Sequence, residues 1–134
     1  MTELSRYDAG WLHFLKSDNG GHLGAAFWDD LNFPARLATL IAAGLPVLQY
    51  DNRGAIVATQ TLVRKLDIGI FCQNMAQLGA QLRDSGRMEQ LRANVWLQRP
   101  LFTFDYHVDE LVTLFRQVAA ERNSSDLLHL SAGR

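Results

Sequence analysis

Three short apolar runs set the folding problem for this chain: residues 11–15 (WLHFL), 46–50 (PVLQY) and 68–72 (IGIFC). Each is too short for a stable helix, is rich in branched or aromatic residues and is flanked by turn formers, which predicts three strands. Between the first two, Phe33, Leu37, Leu40, Ile41 and Gly44 recur at helical spacing, so residues 33–43 are expected to form a helix. Gly44 is expected to close it. Residues 51–54 (DNRG) read as a turn, and 56–66 as a second helix leading into the third strand. Strand, helix, strand, helix, strand is the signature of a parallel sheet. The expected class is therefore α/β: a Rossmann-like three-layer α/β/α arrangement around a small parallel sheet.

Three strands are few for a doubly wound domain. The chain is thus either part of a larger α/β domain or completes its sheet with a partner, a second copy (a homo-oligomer) included. Beyond the third strand the pattern is helical, with spaced leucines, valines and methionines over 75–83, 88–97 and 108–122. Residues 102–104 (FTF) read as a short extended piece between the last two. No linker or repeat divides residues 1–122, which read as one domain; residues 123–134 read as a flexible tail.

Several classes fall away on composition. At 134 residues the chain suits one modest core, and 48% apolar with 20% charged residues is ordinary for a folded protein. A net charge of -1, with both signs interspersed, lacks the basic stripe of a nucleic-acid binder. Cys72 stands alone, so no internal disulfide forms, in keeping with a reducing cytoplasm. No run approaches the roughly 18 apolar residues that cross a bilayer, and residues 1–8 lack the apolar centre of a signal peptide. No transmembrane segment and a cytoplasmic location are expected.

In open parallel sheets ligands sit beyond the carboxyl ends of the strands, where loops run into helix N-termini. The loop 16–31 (KSDNGGHLGAAFWDDL) occupies such a place, after the first strand and before the helix that Asn32 is expected to cap. Gly20, Gly21 and Gly24 allow close approach of backbone to a ligand. Asn19, with Ser17 and Asp18, can hydrogen-bond a sugar, although a solvated loop explains the same residues. Pro34 suits the helix's first turn. Arg36 sits in that turn, where a cation opposes the helix dipole by about 0.3–1 kcal/mol. Something should offset this: an anionic ligand held by Arg36 and the helix amides, or a carboxylate such as Asp29 or Asp30. Thr39, three residues on, shares the face of Arg36 and suits a ribose or sugar hydroxyl. His13 reads as strand-end filler or as site lining, and Trp28 as packing or as a stacking surface. No pair of His, Cys or acidic residues has metal-ligand spacing, so no metal is expected.

The string from Asn32 to Val47 (NFPARLATLIAAGLPV) resembles the C-terminal, donor-binding domain of GT-B fold glycosyltransferases of the group 1, family 4-like kind. Pro34, Arg36, Gly44, Pro46 and Val47 stand at the family's spacing. Tyr7–Trp11, Leu66–Ile70, Arg87–Asn94 and Phe102–Phe115 resemble further stretches, so the likeness runs from about Tyr7 to Val118. It implies that Arg36 contacts the diphosphate of a nucleotide sugar. The family's ribose-binding glutamate position holds Thr39, and the acidic position of retaining members holds Leu31, with Asp30 adjacent. The resemblance further implies a missing N-terminal acceptor domain or subunit. The chain alone is then expected to bind a donor and not to turn over, with the nucleotide sugar as co-substrate and no other cofactor. Two alternatives stand beside this: a non-catalytic nucleotide-binding or scaffold domain, favoured by Leu31 and Thr39, and an unrelated flavodoxin- or receiver-like domain. The last lacks its acidic triplet and phosphate loop.

Overall fold

The three apolar runs do form strands, which the computed structural model places at β1 (Gly10–His13), β2 (Val47–Tyr50) and β3 (Gly69–Cys72). It describes residues 3–13 and 15–131, and the side chains of all of these except Ser5 and residues 122–131. Phe14, within the expected first strand, and residues 132–134 of the expected tail lie outside that description. The strands pair in parallel in the order β1-β2-β3. Val47 lies opposite both Gly10 and Gly69, so the sheet begins in one register. A register shift between Trp11 and His13 turns the end of β1.

Parallel strands need crossovers, and helices supply them. A short turn of helix, α1 (Trp28–Leu31), precedes α2 (Ala35–Ala42) between β1 and β2, and α3 (Ala58–Leu66) links β2 to β3. Then follow α4 (Met75–Leu82), α5 (Ser85–Gln98), a 3-10 turn over Arg99–Phe102 and α6 (Phe104–Ser131).

Successive side chains of a strand point to opposite faces, and here each face has its own core. Leu12 and Val47 pack with Leu37, Leu40 and Ile41 of α2 and with Val63 of α3 on one side. On the other, Leu48, Ile70 and Cys72 pack with Leu78 of α4 and with Met88 and Leu91 of α5. Val95, one turn beyond Leu91, belongs to the first core, so α5 spans from one layer to the other. The mixed α/β architecture with a small parallel sheet thus matches the expectation and is compatible with a Rossmann-like fold.

Local chemistry explains the helix ends. Asn74 and Asp84 accept hydrogen bonds from the amides of Gln77 and Arg87, at 2.8 and 3.0 Å, and so cap α4 and α5. Asp67 ends α3 in the left-handed region at φ 51°, unusual for a residue with a Cβ. Arg87 and Asn94 of α5 hold its carboxylate there, at 2.9 and 3.0 Å. The Arg87 guanidinium keeps the Asp67 carboxyl below the ordinary aspartate range.

Four boundaries differ from the sequence reading. The helix expected over 33–43 starts at Ala35, preceded by Pro34, so Asn32 does not cap it; its amide instead closes α1 onto Trp28 O at 2.9 Å. The loop 16–31 contains α1 and a 3-10 turn at Leu23–Ala25. Residues 102–104 are not extended, because the 3-10 turn runs directly into α6. The helix α6 continues to Ser131 through much of the expected tail. The chain divides into two compact units, Met1–Phe102 and Thr103–Arg134. Within α6, Phe104, Val108, Leu111, Phe115 and Val118 recur at alternating four- and three-residue spacing. No helix among the described residues is long and apolar enough to cross a membrane.

Candidate functional site

Because β1 and β2 are parallel neighbours, the loop after β1 must climb over the carboxyl end of the sheet before α2 can descend. The residues at that point enclose a cleft of about 190 Å³ lined by His13, Leu15, Asp29, Asn32, Pro34 and Arg36. It lies beside the start of α2, where Leu37 N reaches Pro34 O at 2.8 Å and the amides of Ala35 and Arg36 open the helix. Arg36 is exposed and forms no hydrogen bond or ion pair with any described residue. Asp30 does not reach it, and Asp29 shares the cleft without bonding to it. The carboxylate expected to offset Arg36 is therefore not engaged, and the charge at the helix start faces an open cleft.

His13 is the residue at this site that the sequence reading left between filler and lining. Its Nε2 lies 3.1 Å from Thr59 Oγ1, and that hydroxyl donates to Gln49 Oε1 at 3.3 Å. Gln49 and Thr59 are fully buried, so a polar thread runs from the cleft into the layer beneath it. Burial lowers the imidazole's pKa below 6.5 and the positive charge of Arg36 adds to this, with Asp29 acting in the opposite sense. At neutral pH His13 is uncharged and leaves Arg36 as the cation of the cleft. Its place at the last position of a strand was the available signal.

Other expected contacts have different surroundings. Asn19 is 2% exposed, with both ends of its amide engaged within the chain. Its Nδ2 donates to Ile56 O at 2.8 Å, Ser17 Oγ at 2.9 Å and Asp30 Oδ2 at 3.1 Å. Its Oδ1 accepts from Ile56 N at 2.9 Å and Gly21 N at 3.1 Å. Asp30, also buried, accepts a further bond from Phe27 N at 2.9 Å. Gly20 and Gly21 have φ of +54° and +79°, and a Cβ on Gly21 would meet Gly54 O at 3.0 Å. They form the tight turn that lets Asn19 reach across the chain, and they do not line the cleft. Thr39 is exposed, outside the cleft, and its hydroxyl bonds back to Ala35 O at 3.3 Å. Asn32 does line the cleft, together with Arg36.

The buried Asp30 carries a pH signature. Burial raises its pKa, but the Phe27 amide and the side chains of Ser17 and Asn19 outweigh this, and the net shift is below 3.8. A depressed folded pKa adds stability above the unfolded value, which is lost as pH falls through the folded value. The urea midpoint of the parent should therefore exceed that of Asp30→Asn near neutral pH. The gap should narrow below the ordinary aspartate range; a gap that is constant down to acid pH would exclude this assignment.

Among the described residues no group of three His, Cys, Asp or Glu side chains converges. No family model matches this chain, and neither the curated proteins nor the solved structures contain a match to it.

Proposed function

We propose that this chain is the donor-binding part of a glycosyltransferase of the GT-B type, holding the diphosphate of a nucleotide sugar at Arg36 and the start of α2. The observation that supports this most is Arg36 itself, a first-turn cation without a bonded carboxylate, beside open helix amides in a cleft at the carboxyl end of the sheet. Asn32 and the uncharged His13 are the polar groups beside it, and Asp29 would accept hydrogen bonds from sugar hydroxyls.

In this reading Arg36 and the amides stabilise charge that builds on the departing diphosphate while the sugar moves to an acceptor hydroxyl. The acceptor comes from a second domain or subunit, so the chain alone binds and does not turn over. The nucleotide sugar is the co-substrate and no resident cofactor is invoked.

Calorimetric titration with UDP, GDP and their sugar conjugates tests the proposal. One of the diphosphates should bind at micromolar to millimolar concentration, and its sugar conjugate more tightly. No heat with any of them would remove the donor-site reading. Thr39, turned back on its own helix, favours a second reading, a nucleotide-binding scaffold without transfer chemistry. That reading expects the nucleotide and its sugar conjugate to bind equally.

A further inference from the structure

A second cleft, of about 240 Å³, opens at the carboxyl end of the sheet and draws on all three strand ends: Lys16 after β1, Tyr50, Asp51, Asn52 and Arg53 at and after β2, and Gln73 after β3. It is separate from the Arg36 cleft, which takes Leu15 where this one takes the next residue. Its floor is fixed by Asn52, which accepts from Ser17 N at 2.9 Å and donates to Leu15 O at 2.8 Å. The end of β1 is thereby tied to the end of β2.

The charges are arranged unevenly. Among the described residues Asp51 is the single carboxylate lining this cleft; it is buried and already held by Arg64 at 2.6 Å and by Arg53 Nε at 2.8 Å. Arg53 is gripped by that one nitrogen while its side chain stays 73% exposed, so the terminal nitrogens remain open to solvent. The Lys16 amine lies 5.3 Å from the centroid of the Tyr50 ring and forms no ion pair or hydrogen bond with a described residue. Two cations with spare donors, Lys16 over the Tyr50 ring and Arg53, thus line the cleft together with Gln73.

We infer that this cleft binds the oxyanion, phosphate or carboxylate, of a sugar. Lys16 and the free end of Arg53 pair with the oxyanion, the Tyr50 ring packs against the sugar, and Gln73 bonds a hydroxyl. This oxyanion site stands on its own geometry and does not depend on the donor-site reading.

The test is titration of the full chain, followed by amide chemical shifts, with glucose 6-phosphate and with glucuronate. Both Arg36→Ala and the parent should bind at least one of these, with shifts at Gly54 and Gln73. Lys16→Met and Arg53→Leu should each weaken that binding about tenfold while leaving UDP binding unchanged. Tighter binding of the phosphate assigns a sugar phosphate, and tighter binding of the uronate a sugar acid. Shifts confined to the neighbourhood of Arg36, or affinities unmoved in both substituted chains, would overturn the inference. Binding of UDP or GDP without an oxyanion response removes this site alone, and an oxyanion response without binding of either nucleotide removes only the donor reading.

Discussion

Replacing Arg36 by alanine is expected to weaken binding of whichever nucleoside diphosphate, UDP or GDP, the parent takes by about 10- to 100-fold, the value of one or two charge-assisted hydrogen bonds. The fold should hardly notice. Arg36 is exposed and bonds to no described residue, so its removal leaves no buried group unpaired and should change stability by at most about 0.5 kcal/mol. If anything the helix gains, since the unfavourable meeting of a cation with the positive end of α2 is relieved. Calorimetry for binding and thermal melting for stability read the two effects independently. Lost binding with an unchanged melt supports a contact at Arg36. Unchanged binding places the diphosphate elsewhere, whatever the parent's affinity.

Asn19→Ala should behave in the reverse way, as a change of stability first. It removes the group that satisfies Ile56 through both its N–H and its C=O, and that also supports Gly21 and Asp30. Leaving these buried or half-buried polar groups without partners should cost about 2–4 kcal/mol, or about 10 °C in melting temperature. Any loss of UDP affinity should follow the loss of order in the loop and recover partly at lower temperature. A melting curve superimposable on the parent's would show that the Asn19 bonds contribute little.

The contrast between Arg36 and Asn19 also shows what a sequence can and cannot disclose. The three strands were legible because Val47-Leu48 and Ile68 to Cys72 combine β-forming residues with sharp flanking turns, and the packing follows their alternation. The start of α2 was misplaced because Asn32 and Pro34 both resemble helix openers, and only Pro34 stands at the boundary. Four residues are too few to display a helical period, which hid α1 inside the loop. Asn19 looked like a ligand contact because asparagine in a glycine-rich turn is locally ambiguous. What decides its role is Ile56, 37 residues away, and no local pattern encodes that pairing. Arg36 was legible for the opposite reason. Its conflict with the helix dipole is local, so the question it posed could be asked from sequence, and the surroundings answer one side of it by leaving its carboxylate neighbours unbonded.

The Asn19 tie has a consequence for how a ligand would be received. The wall of the Arg36 cleft that carries Asp29 and Asn32 flanks Asp30, which Asn19 bonds at 3.1 Å while itself bonded to Ile56 from both ends of its amide. Such a wall is a template, already ordered before any ligand arrives, rather than a lid that must fold over it. A nucleotide docking here would lose its own freedom but impose little new order on the protein, so most of its contact energy would appear as affinity. Selectivity would then lie in the rigid shape of the pocket mouth.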